Sequence, residues 1–282
     1  MATVTDFTSY TPTWCPGCGN WGVGRAIMNA LVNCQYEPSQ AVMLFDIGCA
    51  GNMSDFIHTY GMHTLHGRSI ANAVGCKLAN HTLPVIVVGG DGALYGEGGN
   101  HLLHACRGNH DITVILHDNG VYGLTTGQVA PTARKGFASK STPAGVIESP
   151  VNGLLLALSQ GATFVAQAFA GNLPQLSTIL TAGIQHKGFS LINVLQPCVS
   201  FNKQNSYAYY FKNSYELKEH DASNFQAALE KSQEPMQEKF PIGVLYQVEQ
   251  PAYHEQLIQL ESGSLVSQHK QLNPSTLIQS LA

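Results

Sequence analysis

Short apolar runs rich in β-branched residues alternate along the chain with longer segments in which apolar residues recur at helical spacing. The runs are typical of buried strands, and the helical spacing gives a helix one apolar face. This pattern predicts strands over residues 41–45, 83–88, 112–116, 163–167, 190–195 and 243–248. It predicts helices over residues 22–34, 69–80, 98–107, 153–159, 174–184 and 222–231.

The order of these elements predicts an α/β fold with a mostly parallel sheet and helices on both faces, because alternating strands and helices require crossover connections. A chain of 282 residues is long enough for one large domain with a full core. We expect residues 1–200 to form that domain and residues 201–282 to form a C-terminal extension packed on it. Gln and Ser are frequent near the end of the chain, which predicts a tail or arm over residues 250–282.

Two of the predicted strands end in residues that suit a phosphate and a hard cation. The run 83–88 leads into Gly90, Asp91 and Gly92, and the next strand leads into Asn119. Ligands bind at the carboxyl ends of strands in such sheets, and glycines allow backbone amides to approach a pyrophosphate. Carboxylate and amide oxygens are ligands for Mg²⁺, which usually keeps substrate phosphates in its shell. Gly-Asp-Gly is also a common turn sequence, and the paired Asn119 is what favours the Mg²⁺ site.

The composition narrows the classes of protein. Only 11% of the residues are charged and the formal net charge is −4, without the basic stripe that a nucleic-acid backbone requires. We therefore expect no nucleic-acid partner. The amino-terminal residues lack a basic segment followed by an apolar core, and no apolar run reaches the ~20 residues of a membrane span. These features predict a cytoplasmic protein without a membrane partner.

The chain has seven cysteines, an odd number that favours metal or redox chemistry over a disulfide framework. Four of them, which we call the loop cysteines, fall in predicted loops at strand ends or before a helix: Cys15, Cys18, Cys49 and Cys198. The other three fall inside predicted helices, where cysteine is usually a small apolar core residue: Cys34, Cys76 and Cys106. Four thiolates from separate loops could hold an iron–sulfur cluster. Structural zinc and a redox pair at Cys15 and Cys18 are the alternatives.

The loop before the second predicted helix contains His66 and Arg68. The chain has twelve histidines, and most of them are expected to lie on the surface or in structural hydrogen bonds. A lone loop histidine is usually structural, so the residues alone favour a structural role for His66. They do not decide whether Arg68 stabilises a substrate or caps the loop.

Six motifs occur in one order along residues 12–250, and together they resemble a known family. They are Trp-Cys-Pro-Gly-Cys-Gly-Asn from position 14, Asp-Ile-Gly-Cys from 46, Thr-Leu-His-Gly-Arg from 64, Gly-Gly-Asp-Gly from 89, Asp-Asn-Gly-Val-Tyr-Gly-Leu-Thr from 118 and Leu-Gln-Pro-Cys from 195. The spacing from Gly-Asp-Gly to Asn resembles the diphosphate-binding motif of the thiamine diphosphate-binding fold. With the loop cysteines, the set resembles the beta subunit of the 2-oxoacid:ferredoxin oxidoreductases.

This resemblance implies three cofactors and their ligands. The loop cysteines would bind a [4Fe-4S] cluster, and Mg²⁺ would be bound by Asp91, the Asn119 side chain and the Val121 backbone carbonyl. Contacts with thiamine diphosphate are implied for a larger set: Ile47, Gly48, Cys49, Ala50, His66, Gly90, Gly92, Ala93, Gly123 and Leu124. His66 and Arg68 are the implied catalytic residues. Position 126 is Thr where many relatives have Lys, so this chain departs from the family at a position implied to contact the substrate carboxylate.

The activity implied by the resemblance is oxidative decarboxylation of a 2-oxoacid, with 2-oxoglutarate favoured, to acyl-coenzyme A and CO₂. Electrons would pass through the cluster to ferredoxin, and the reaction would be reversible. The implied partners are the alpha subunit of the same complex, ferredoxin, the 2-oxoacid and coenzyme A. We expect the chain alone to be inactive, because thiamine activation needs a carboxylic acid from a second α/β domain. A non-oxidative thiamine decarboxylase or carboligase and a non-catalytic iron–sulfur redox protein are the alternative functions.

Overall fold

The computed structural model describes residues 1–268 and 274–280. Their strands are β1 (Val42–Phe45), β2 (Tyr60–His63), β3 (Val85–Gly90), β4 (Thr113–Asp118), β5 (Val121–Tyr122), β6 (Gln128–Val129), β7 (Phe164–Phe169), β8 (Ser190–Leu195), β9 (Ser214–Glu216) and β10 (Phe240–Gln247). Eight of them form one sheet in the order β2-β1-β3-β4-β8-β7-β10-β9. The strands from β2 to β7 in this order are parallel, and β10 is antiparallel to β7. The predicted mostly parallel sheet is confirmed.

Helices cover both faces of this sheet. The helices of the described residues are α1 (Asn20–Asn33), α2 (Ser69–Ala79), α3 (Gly99–Arg107), α4 (Gly153–Ser159), α5 (Leu173–Gln185), α6 (Tyr207–Asn213), α7 (Phe225–Gln233) and α8 (Pro274–Ser280). Side chains of α1 and α5 form one core with Met43 and Phe45, whereas α2, α3, α4 and α7 form a second core with Leu44. Successive strand residues point to opposite faces, so one strand contributes to both cores. Every predicted helix and strand is present, with its ends shifted by no more than three residues.

The residues that follow position 200 continue the same sheet. Strand β10 pairs with β7, with Gly243 opposite Gln167, and β9 pairs with β10. Short 3₁₀ turns follow, and the amide of Tyr253 donates to the carbonyl of Asn109 over 3.0 Å. Part of the predicted tail, residues 269–273 and 281–282, lies outside the described residues. None of the helices in residues 1–268 and 274–280 combines the length and the apolar character of a membrane span.

Several short elements were not predicted from the sequence. All four residues of β2 are exposed. The sequence of this strand, Tyr-Gly-Met-His, contains no apolar run that would predict a strand. Strand β6 lies in a polar, turn-rich segment and pairs with β5 as a small hairpin. Helix α6 is rich in tyrosine and starts after Ser206, whose side chain accepts from the amide of Tyr209. These elements depend on contacts outside their own segments, which a local pattern does not contain.

Candidate cofactor site

Four neighbouring parallel strands, β1, β3, β4 and β8, end at the same edge of the sheet. A polar residue directly follows each strand: Asp46, Asp91, Asn119 and Gln196. All four side chains are buried. Buried polar groups need hydrogen-bond partners, so the positions of these side chains are closely determined by their neighbours. The site is built on this edge.

Asp91 is the most heavily hydrogen-bonded of the predicted Mg²⁺ ligands. Its Oδ1 accepts from the amide of Gly92 at 2.9 Å, and its Oδ2 accepts from the amide of Gly120 at 2.7 Å. The hydroxyl of Thr132 also donates to Oδ2. Burial, together with the nearby Asp118 carboxylate, raises the pKa of Asp91 to about 7. These hydrogen-bond donors are neutral, so a bound cation would stabilise the charged carboxylate strongly.

Asn119 presents a second oxygen beside Asp91. Its Oδ1 accepts from the amide of Val121 at 3.0 Å, and its Nδ2 donates to Oε1 of Gln196 at 2.8 Å. An amide oxygen has two lone pairs, so Oδ1 can still bind a cation. The turn after Asn119 needs Gly120, whose φ is +74°. Carboxylate, amide and backbone oxygens on two adjacent loops form a donor set that fits Mg²⁺.

A cavity of about 180 Å³ opens beside these oxygens. It is lined by Tyr122, Thr125 and all thirteen residues predicted to bind the cofactor or its Mg²⁺: Ile47, Gly48, Cys49, Ala50, His66, Gly90, Asp91, Gly92, Ala93, Asn119, Val121, Gly123 and Leu124. A Cβ atom added at Gly48 or Gly90 would meet no atom within 4 Å. Both backbones therefore have open space in which a diphosphate fits.

The structure brings the loop cysteines together beside this cavity. A Cβ atom on Gly123 would lie 3.5 Å from Sγ of Cys49 and 3.7 Å from Sγ of Cys198. Burial, together with charge repulsion from other loop cysteines, raises the pKa of both the Cys18 and Cys49 thiols to about 11. All four thiols are thus close enough to interact electrostatically.

Hydrogen bonds hold the cysteine loops in place. The indole of Trp14 donates to the carbonyl of Cys49 at 2.8 Å, and the indole of Trp21 donates to the carbonyl of Cys15 at 3.1 Å. The hydroxyl of Ser200 donates to Sγ of Cys15 at 3.1 Å. Two indoles and a hydroxyl therefore fix the loops in the absence of a disulfide, since all seven cysteines are free.

Four free thiols from separate loops are the donor set that an iron–sulfur cluster requires. No three His, Cys, Asp or Glu side chains in the described part of the chain converge closely enough to hold one metal ion. Zinc would require all four sulfurs at about 2.3 Å from one centre. An iron–sulfur cluster gives its cysteines several iron atoms to bind, so the sulfurs can lie further apart. Cys106, by contrast, is buried in α3, where burial raises the pKa of its thiol.

His66 lines the cavity, whereas Arg68 does not. The imidazole of His66 lies between two carboxylates, with Nδ1 3.5 Å from Oδ1 of Asp46 and Nε2 3.1 Å from Oε2 of Glu97. The Arg68 side chain instead places Nη1 2.6 Å from Nε2 of His101. Burial and the charge of Arg68 lower the pKa of His101, which favours the neutral imidazole as acceptor. The side chain of Arg68 has no contact in the cavity, and its catalytic role stays a prediction.

Several side chains of the site were missed in the sequence. Asp46 is fully buried and accepts from the amide of Gly67 at 2.8 Å and the hydroxyl of Ser69 at 2.6 Å. Glu97 and Thr132 contact His66 and Asp91, and both come from distant parts of the chain. The sequence contained a signal for Asp46, because this residue directly follows an apolar strand, as Asp91 does. Glu97 and Thr132 had no comparable signal.

Thr126 lies in the turn beside the cavity with an exposed side chain and a φ of +77°. A β-branched residue is strained in this left-handed region. Thr126 does not line the cavity. A substrate contact from this position therefore has no support in the geometry.

A larger cavity of about 560 Å³ lies on the far side of Thr132. It is lined by Asp118, Arg134 and Asn193, among others, and it contains neither a loop cysteine nor the glycine-rich turns. Its walls lack the backbone cradle that fits a diphosphate. The smaller cavity is therefore the better cofactor site despite its size.

Comparisons with known proteins match two parts of this chain to protein families. The family described as thiamine pyrophosphate enzyme, C-terminal TPP binding domain, matches residues 46–194. A second family, described as the C terminal of the pyruvate ferredoxin oxidoreductase beta subunit, matches residues 198–262. The second match begins at Cys198, so this loop cysteine lies in the part of the chain that matches the second family.

Individual relatives cover most of the chain. A 2-oxoacid:ferredoxin oxidoreductase subunit beta of a Sulfolobus species is 43% identical over 90% of this chain and 88% of its own length. The 2-oxoglutarate synthase subunit KorB of Methanocaldococcus jannaschii is 33% identical over 88% of this chain and 92% of its own. A solved structure of the 2-oxoglutarate:ferredoxin oxidoreductase from Magnetococcus marinus, with 2-oxoglutarate, coenzyme A and succinyl-CoA bound, has a TM-score of 0.92 and 36% identity, covering 100% of this chain and 96% of that one. This chain therefore belongs to the family of beta subunits of the 2-oxoacid:ferredoxin oxidoreductases.

Proposed function

We propose that this subunit takes part in the oxidative decarboxylation of a 2-oxoacid to an acyl-coenzyme A, with thiamine diphosphate, Mg²⁺ and a [4Fe-4S] cluster as cofactors. The observation that carries this proposal is that the cavity and the loop cysteines are adjacent, with Cys49 belonging to both. Gly123 also lines the cavity and lies against Cys49 and Cys198. A cluster next to the thiamine site favours oxidation over a non-oxidative decarboxylase.

The residues of the chain have distinct roles in this proposal. Asp91, Asn119 and the Val121 carbonyl hold Mg²⁺, and the backbones of Gly48 and Gly90 leave room for the diphosphate. When bound, thiamine diphosphate supplies the carbanion chemistry that cleaves the bond between a 2-oxo carbon and its carboxylate. His66 faces the cavity and can hold or move a proton at Nε2, where Glu97 is its partner.

An alpha subunit is needed to complete the site. No glutamate is among the residues that line the smaller cavity in the described part of the chain. Thiamine activation needs a carboxylic acid, and we propose that the alpha subunit supplies it. Apolar side chains at and beside the rim are exposed: Ile47 by 37%, Leu124 by 47% and Leu65 by 78%. Such side chains beside an open site support a protein interface there.

We further propose 2-oxoglutarate as the substrate and ferredoxin as the electron acceptor, as the names of the relatives suggest. The test is a steady-state assay of the complex with its alpha subunit, using 2-oxoglutarate, pyruvate and branched 2-oxoacids with coenzyme A and ferredoxin. We expect the highest kcat/KM with 2-oxoglutarate and no turnover by this chain alone. Aldehyde release without coenzyme A and acceptor would instead support the non-oxidative decarboxylase.

A further inference from the structure

One buried side chain contacts both candidate cofactor sites. Gln196 follows β8 and is 1% exposed. Its Oε1 accepts from Nδ2 of Asn119 at 2.8 Å, and its Nε2 donates to Sγ of Cys18 at 3.3 Å. A single amide therefore joins a predicted Mg²⁺ ligand to a predicted cluster ligand.

The orientation of this amide is fixed by groups that have only one hydrogen-bonding role. The amide of Val121 can only donate, so the atom of Asn119 that faces it at 3.0 Å must be Oδ1. Asn119 consequently directs Nδ2 at Gln196. The carbonyl of Pro197 can only accept, and it lies 2.8 Å from Nε2 of Gln196. The nitrogen of Gln196 therefore faces Cys18.

The backbone around Gln196 holds it in place. Its own amide donates to the carbonyl of Asp118 at 2.8 Å, and the amide of Gly19 donates to the carbonyl of Pro197 at 3.0 Å. A Cβ atom on Gly19 would lie only 2.9 Å from both Cγ and Nε2 of Gln196. Gly19 directly follows Cys18, so the cysteine motif leaves the space that this side chain occupies.

Resting on the proposed function, we infer that Gln196 is a positioning residue that links the thiamine diphosphate site to the cluster. Toward the thiamine diphosphate site, its Oε1 accepts from Nδ2 of Asn119, which leaves Oδ1 of Asn119 as the atom that would bind Mg²⁺. Toward the cluster, the N–H···S hydrogen bond from Nε2 of Gln196 stabilises negative charge on Sγ of Cys18. Because the cluster gains negative charge on reduction, this bond raises its reduction potential.

The same contacts make the two sites interdependent. A cation at Oδ1 of Asn119 withdraws electron density and makes Nδ2–H a stronger donor to Gln196. Polarisation then passes along the chain of hydrogen bonds and strengthens the bond from Nε2 to Cys18. Binding of thiamine diphosphate with Mg²⁺ consequently raises the potential of the cluster. By linkage, reduction of the cluster tightens the binding of thiamine diphosphate.

The test compares Gln196→Leu with Gln167→Leu in the complex with the alpha subunit. Gln167 is a matched control, because its side chain is also 1% exposed and donates to a backbone carbonyl, that of Pro241, at 3.0 Å. The midpoint potential of the cluster is measured by EPR-monitored redox titration, with and without thiamine diphosphate and Mg²⁺. The Kd of thiamine diphosphate is measured in the presence of Mg²⁺.

We expect Gln196→Leu to lower the midpoint potential, to weaken thiamine diphosphate binding by about 10–100-fold and to abolish the shift in potential that the cofactor causes. Gln167→Leu should match the wild-type protein in all three measurements. If Gln196→Leu does not assemble, Gly19→Ala tests the same contact, since its Cβ displaces the amide while all polar groups remain, and it too should lower the potential.

Wild-type values in Gln196→Leu, or in Gly19→Ala where the first variant does not assemble, would overturn this inference and leave the proposed function intact. A wild-type complex that contains neither the cluster nor thiamine diphosphate would overturn the proposed function and this inference together.

Discussion

The backbone amide of Gly120 donates a hydrogen bond to Oδ2 of Asp91 over 2.7 Å. This bond joins the loop after β3 to the loop after β4, and these two loops carry the predicted Mg²⁺ ligands. The oxygen ligands are therefore positioned by protein contacts, which reduces the ordering that cofactor binding requires.

Replacement of Asp91 by alanine should abolish Mg²⁺-dependent binding of thiamine diphosphate and leave the iron content unchanged. The carboxylate contacts the glycine loops and Thr132, whereas the loop cysteines are held by other residues. Titration calorimetry and iron analysis of the purified complex measure both effects. Asp221→Ala is the control, because this exposed carboxylate is hydrogen-bonded to Ser223 within its own loop. Full cofactor affinity in Asp91→Ala would refute the assignment.

The stability of the cofactor-free protein should decrease as pH rises from about 4 to about 7. Burial and Asp118 raise the pKa of Asp91 from 3.8 to about 7, so the folded state binds more protons than the unfolded state in this range. Denaturant unfolding at several pH values measures the slope. Asp91→Asn should flatten it, and Mg²⁺ with thiamine diphosphate should do the same by favouring the charged carboxylate. Parallel slopes for wild type and Asp91→Asn would contradict the assigned cause.

Replacement of Cys198 by serine should cause loss of the cluster, whereas Cys106→Ser should retain it. Cys198 lies beside Cys49 at the edge of the sheet, and Cys106 is buried inside α3. Iron and sulfide analysis after anaerobic purification measures the difference. Equal iron content in the two variants would overturn the ligand set.

Replacement of Gly92 by alanine should destabilise the protein by about 1–3 kcal/mol and weaken thiamine diphosphate binding. The added Cβ would lie 2.3 Å from Cε1 of Tyr122, so the Tyr122 ring, which lines the cavity, would have to shift. Gly99→Ala is the control, because a Cβ there meets no atom within 4 Å. Denaturant unfolding and calorimetry check the two effects, and similar results for both variants would argue against the tight contact.

The sequence predicted the parts of the site that depend on local pattern. Asp91 and Asn119 each follow an apolar run, and parallel strands with crossover helices necessarily bring such ends to one edge. The contacts that orient these residues were not predictable in the same way. Thr132 and Gln196 reach Asp91 and Asn119 across 41 and 77 positions. Such pairings depend on the packing of the whole sheet, which no local spacing records.

Arg68 shows that closeness in the sequence does not guarantee closeness of side chains in the site. Its motif placed it near His66, and the two residues are indeed close in the chain. The left-handed Gly67 between them, with φ +71°, turns the backbone, and the Arg68 side chain contacts His101 on α3. Neighbouring positions in a loop can thus face different surroundings.

In the proposed reaction, electrons from a 2-oxoacid pass from the thiamine site to a cluster in this subunit. EPR spectra of the anaerobic complex with its alpha subunit, before and after addition of 2-oxoglutarate and coenzyme A, test it most directly. We predict a reduced-cluster signal that requires thiamine diphosphate, Mg²⁺ and substrate. It should be missing in Asp91→Ala, whose cluster dithionite still reduces. Substrate turnover without the signal, or a substrate-dependent signal in Asp91→Ala, would contradict the account.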